Sequence, residues 1–125
     1  MTFNWEDYQT IAKELVKLSK KNTQTEAYLR SAISRAYYAA FCKARNRLLT
    51  IDRLIIDDDE NIHQFVTEEY LTSADQERKS IGNYLKKLRK DRNKADYKDD
   101  FVNLETDAKA AIKKADQIMA KLKVI

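Results

Sequence analysis

The residues best suited to chemistry lie in one basic run, Lys86-Lys87-Leu88-Arg89-Lys90-Asp91-Arg92-Asn93-Lys94. Ile81, Leu85 and Leu88 follow helical spacing, and the next positions on that stripe are Arg92 and Ala95. A guanidinium therefore stands where the pattern calls for an apolar side chain. Burying it is unfavourable unless a carboxylate, a partner chain or an anionic ligand meets it. Two readings are open. Arg92 and Asp96, at i and i+4, can form an ordinary ion pair on a partly exposed helix end. Alternatively, the planar fork of Arg92 can hold phosphate oxygens. Lys86, Arg89, Lys90 and Lys94 would then track a phosphodiester backbone, with Tyr84 and Tyr97 placed to stack bases. The plainer reading of the run is a solvated helix face.

Other reactive side chains are few. Arg35 lies between Ala32 and Ala36 and is expected to make a structural salt bridge. Cys42 sits in an apolar segment with no local activating base, so an inert buried thiol is expected. His63 has no second His or Cys at ligand spacing, and a catalytic role needs a partner from elsewhere in the fold. The Gly-rich phosphate loop and the Gly-x-Ser-x-Gly elbow are both absent. No metal site and no cofactor are expected.

The elements that must position these residues follow from composition and periodicity. The 125 residues allow one domain, taken as 1–125. No Pro and a single Gly argue against a turn-rich β fold, and one Cys excludes an intramolecular disulfide. Twenty-four basic and 20 acidic residues leave a net charge of +4, compatible with nucleic acid. No apolar run is long enough to span a membrane, and no leader is recognisable. A cytoplasmic location without membrane contact is expected.

The spacing predicts an all-α antiparallel bundle of four long helices and one shorter one. Asn4 caps a first helix whose apolar residues are Trp5, Tyr8, Ile11, Ala12, Leu15 and Leu18. Thr23 or Thr25 opens a second, running to about Leu49. Its centre, Ala36-Tyr37-Tyr38-Ala39-Ala40-Phe41-Cys42, is apolar all round, which predicts a core on one side and a subunit interface on the other. The acidic cluster Asp57-Asp58-Asp59-Glu60 suits the start of a third helix bearing Ile62, Phe65, Val66 and Tyr70. Thr72 or Ser73 opens a fourth, with Gly82 marking close packing. Asn103 caps a fifth, whose inner face runs from Leu104 to Leu122.

Two segments together carry a family resemblance. Arg30-Ser31-Ala32-Ile33-Ser34-Arg35-Ala36-Tyr37-Tyr38-Ala39-Ala40-Phe41 resembles the second-helix signature of HEPN domains. The stretch from Leu85 to Tyr97, with Arg92-Asn93-Lys94-Ala95-Asp96-Tyr97, is similar to that of a small stand-alone branch of the superfamily. His63 falls where that branch often has a His. The resemblance spans roughly residues 5 to 120. It implies a helical bundle that dimerises around a shared cleft, and in many members a metal-independent RNase with an Arg and a following His. It also implies roles as toxins in toxin–antitoxin or defence systems, often beside a nucleotidyltransferase partner.

Carried over by position, Arg92 matches the motif arginine and Asn93 the polar residue after it. The motif histidine falls on Tyr97, a departure from the pattern, since a tyrosine of ordinary pKa is a poor base at neutral pH. In the RNase that the resemblance implies, Arg92 stabilises charge while Tyr97, Asn93 or Asp96 assists. His63 substitutes for the missing imidazole if the third helix reaches the cleft. The alternatives are a non-catalytic module that binds RNA, a nucleotide or a nucleotidyltransferase, and a purely structural bundle with Arg92 paired to Asp96.

Overall fold

Five α-helices make up the computed structural model, which describes residues 2–57 and 61–125. They are α1 (Glu6–Ser19), α2 (Thr25–Thr50), α3 (Ile62–Leu71), α4 (Gln76–Tyr97) and α5 (Leu104–Leu122). No strand occurs among the described residues. The short helix of the expected set is α3, at 10 residues.

The axis of the bundle is α2, which packs against each of the other four helices. That position explains its missing polar face. Ala36, Tyr37, Ala39, Ala40, Phe41 and Cys42 are all buried inside this one chain. The expected division of α2 between core and subunit interface is therefore corrected: its centre is covered without a second subunit. Small side chains at 36, 39 and 40 let the surrounding helices come close.

Side-chain ties give the directions. Lys43 reaches Glu6 at 3.6 Å, and Arg35 lies over the Tyr8 ring, so α1 and α2 are antiparallel. Ser34 with Asp96, and Arg30 with the Asp99 carbonyl, make α2 and α4 antiparallel. Lys121 to Glu77 at 2.8 Å does the same for α4 and α5. By contrast α3 runs parallel to α2. Tyr37 meets His63, and the buried Tyr70 hydroxyl donates to the Ala44 carbonyl at 2.8 Å. At the other end of α3, a Cβ on Gly82 would lie 2.7 Å from the Leu71 amide nitrogen. Only glycine permits that approach of α3 to α4.

Three details differ from the sequence reading. Ile11 is 47% exposed and Leu18 is exposed too, because α1 turns Gln9 and Ser19 inward beside the expected Ala12. Gln9 is tolerated there because its amide donates to the Ile112 carbonyl at 2.9 Å and to Asp116 at 3.0 Å. Second, α4 is capped by Asp75, whose Oδ2 accepts from the Arg78 amide at 3.0 Å, rather than by Thr72 or Ser73. Ser73 Oγ instead accepts from the Asp75 amide, which sets the cap. Third, Asn103 stands at the start of α5 in a left-handed conformation, with no side-chain cap bond. Asn4 does accept from the Glu6 amide at 3.2 Å. Of the acidic cluster, Asp58, Asp59 and Glu60 lie outside the described residues, and α3 is capped by Asn61, whose Oδ1 accepts from the Gln64 amide.

Candidate functional site

The last turns of α4 carry the residues singled out by sequence, and Arg30 of α2 fixes them. Its guanidinium donates to the Ala95 carbonyl at 3.1 Å, to the Asp99 carbonyl at 2.9 Å and to the Lys98 carbonyl. A cation on the orphaned carbonyls of a helix C-terminus satisfies both their lone pairs and the helix dipole. Glu26 holds Arg30 in turn at 3.1 Å.

Arg92 points from this segment into the bundle and is only 8% exposed. Its guanidinium lies 5.4 Å from the Tyr37 ring centre and 5.5 Å from that of Tyr38. The expected pair with Asp96 forms, but loosely: Nη1 to Oδ2 is 3.5 Å, at the limit of a hydrogen bond. The other Asp96 oxygen accepts from the buried Ser34 hydroxyl. Arg92 Nε is buried without a hydrogen-bond partner among the described residues, and so is Arg89 Nε one turn earlier. Arg92 thus has one loose carboxylate contact, and the Nε of each of these two arginines is left without an acceptor among the described residues.

His63 completes the cluster. Its Nδ1 lies 2.6 Å from the Tyr37 hydroxyl, and its ring stacks on Phe41 at 4.4 Å. Burial pushes the imidazole down to about 4 from an ordinary 6.5, and Arg89 and Arg92 push the same way. At neutral pH the ring is therefore uncharged. Burial also raises the Tyr37 hydroxyl, opposed by the same two arginines, so it stays protonated. The third helix does reach the site: it brings an imidazole, which the local motif lacks, to the tyrosine that Arg92 covers.

The remaining candidates divide. Lys86, Arg89, Lys90 and Asn93 line one groove of about 400 Å³ between α3 and α4, with Gln64, Thr67, Glu68 and Leu71 opposite. Lys94 turns away, its ammonium 5.1 Å from the Phe101 ring centre. Tyr97 is 76% exposed and lines a separate hollow with Arg30 and Asp96 at the end of α4. Neither Tyr84 nor Tyr97 lines the α3–α4 groove. Arg35, expected in a salt bridge, instead lies 4.7 Å over the Tyr8 ring. Cys42 is buried, and burial pushes its thiol up, as an inert thiol requires. Sequence reasoning missed Tyr37 and Ser34 as site residues. Their only signal was a hydroxyl inside an otherwise apolar helix, which the need for a hydrogen-bond partner makes notable.

No group of three or more His, Cys, Asp or Glu among the described residues is placed to hold a metal ion. Nor, among those residues, is any helix long and apolar enough to cross a membrane. No curated protein and no solved structure matches the chain. The family model of the HEPN domain matches residues 5–125, so with its all-helical bundle the chain belongs to the HEPN domain family.

Proposed function

We propose that this HEPN domain is an RNA phosphodiester-cleaving domain whose centre is Arg92, Arg89 and His63. The observation that carries the reading is that His63, bonded to the Tyr37 hydroxyl at 2.6 Å, and the buried Arg92, 5.4 Å from the same ring centre and only loosely paired with Asp96, converge on one tyrosine. A phosphodiester supplies the missing negative charge. Arg92 and Arg89 hold its oxygens and stabilise the charge that grows on them in the transition state. For His63 to act as base, Nδ1–H donates to the Tyr37 oxygen and Nε2 is left bare. The bound phosphate offsets Arg89 and Arg92 and so restores basicity to the imidazole. Nε2 then takes the ribose 2′-hydroxyl proton, the 2′-oxygen attacks phosphorus, and the 5′-oxygen leaves with a proton from water. The products are a 2′,3′-cyclic phosphate and a 5′-hydroxyl end. Asp96 and Asn93 are assigned to orienting Arg92 and the phosphate, and Lys86 and Lys90 to the incoming backbone, while Lys94, on the Phe101 side, is left out of the contact. Tyr97 is assigned to substrate contact at the rim.

A homodimer with the site near the subunit boundary accompanies this reading. The exposed Ile11, beside Leu15 and Ala27 in a groove that also reaches Asp96, supports it. A role as toxin, with a nucleotidyltransferase-type antitoxin as partner, rests on the family alone. A second reading is favoured by the exposed Tyr97 at the motif position: a module that binds RNA, a nucleotide or that partner without cleaving.

The test is cleavage of single-stranded RNA in EDTA by wild type, Arg92→Ala and Tyr97→His. Cleavage by wild type and Tyr97→His but not by Arg92→Ala is expected. Activity confined to Tyr97→His would show that His63 does not serve as the imidazole and would favour the binding module.

A further inference from the structure

The α3–α4 groove adjoins the phosphate-binding arginines, since Arg89 lines it and also acts on His63 and Tyr37. Its volume of about 400 Å³ falls within the range of small-ligand sites, roughly 300–1,000 Å³. The two walls differ in chemistry. On α3, Gln64 Nε2 donates to Glu68 Oε1 at 3.0 Å. That bond uses a donor of the amide and leaves Gln64 Oε1 and Glu68 Oε2 as acceptors. Leu71 supplies an apolar surface, and the α4 wall is cationic, with Arg89 and Lys90 beside the amide of Asn93. The walls are held close at one end by the Gly82–Leu71 approach, and the His63–Tyr37 bond ties the α3 wall to α2.

We propose that this groove is a guanine subsite, taking the base of a nucleotide whose phosphate lies on Arg89 and Arg92. Among the four RNA bases, only guanine presents two adjacent N–H donors on its Watson–Crick edge, N1–H and the 2-amino group. They match the acceptor pair of Glu68 and Gln64. Its O6 then faces the donors of Lys90 and Asn93, and the Arg89 plane stacks on the ring, as guanidinium planes do with unpaired bases. The inference rests on the phosphodiester reading above.

The test measures binding of labelled 2′-O-methyl UUGUU, UUAUU, UUCUU and UUUUU oligonucleotides to the whole chain in EDTA. The guanine oligonucleotide is expected to bind roughly tenfold or more tightly than the others, the discrimination of one good bidentate pair. Glu68→Gln should bring that ratio near one, and Arg92→Ala, which lies outside the groove lining, should weaken all four alike. Glu68 is exposed, and among the described residues its side chain bonds only Gln64, so the variant keeps the fold, checked by an unchanged melt. Equal affinity for all four, or a guanine preference that survives Glu68→Gln, overturns the subsite while leaving the phosphate reading intact. Failure of every oligonucleotide to bind overturns both.

Discussion

Two arginines of α4 sit over buried tyrosines, and they are treated differently. Arg78, near the start, lies 5.7 Å from the Tyr70 ring centre and grips Asp52 with both ends of its fork, at 2.9 and 3.1 Å. Arg92, near the end, lies 5.4 Å from the Tyr37 ring centre and has only the 3.5 Å contact to Asp96. Its Nε is buried without a partner. A guanidinium used for structure is normally satisfied in this bidentate way. In the proposed function, the acceptor that Arg92 lacks is a phosphate arriving from outside. On that proposal the same helix serves as scaffold in its first half and as a receptor for anions in its second.

The comparison can be broken most sharply by exchanging the two arginines for alanine. Arg92→Ala should lower RNA cleavage about 100-fold or more, the loss seen when one transition-state donor is removed. Its melting temperature should change little. Arg78→Ala should do the reverse. It leaves the Asp52 carboxylate partly buried beside Arg47 alone and should destabilise by about 1–3 kcal/mol in denaturant titration, with cleavage retained in the folded fraction. If both variants melt early and both lose activity, the division of α4 fails.

Gly82→Ala probes the scaffold half. The added methyl meets the Leu71 backbone, so α3 must shift, and a loss of about 1–3 kcal/mol in stability is expected. Because α3 carries His63, cleavage should fall as well, by more than the unfolded fraction explains.

A smaller effect sharpens the receptor half. Asp96→Asn removes the carboxylate that competes with a phosphate while keeping an oxygen for the Ser34 hydroxyl. RNA affinity should rise by no more than about fivefold, the scale of a partly exposed ion pair. A fall in affinity would mean that Asp96 positions Arg92 more than it masks it.

Much of this division is legible in the sequence. Arg92 stands on an apolar stripe, and that misfit alone marks it as either paired or ligand-binding. The five helices follow from periodicity because each has one dominant buried face or, for α2, none that is polar. The Asp75 cap was obscured by Thr72 and Ser73, two equally good capping types just before it. The inward rotation of α1 onto Gln9 was hidden because a buried amide carries no hydrophobic signal. The His63–Tyr37 contact was out of reach for a different reason. It joins residues 26 apart in sequence through the parallel docking of α3 on α2, and no local spacing encodes that docking.

His63 also gives the fold a pH signature. Its imidazole sits near 4 when folded against 6.5 ordinarily, so the unfolded chain takes up that proton more readily. The group adds stability above about pH 6.5, and the contribution is lost as pH falls toward 4. His63→Gln should remove this part of the acid limb, seen as a smaller loss of melting temperature between pH 6.5 and 4 than in wild type.

The chain has a single histidine, which makes the central claim directly measurable. The pKa of its imidazole can be followed by NMR without assignment, first alone and then with a saturating non-cleavable RNA oligonucleotide. A value near 4 in the free protein is expected, rising by a unit or more when a bound phosphodiester offsets Arg89 and Arg92. A value near 6.5 in the free protein, or one that does not move when RNA is bound, would contradict a site built from these three side chains.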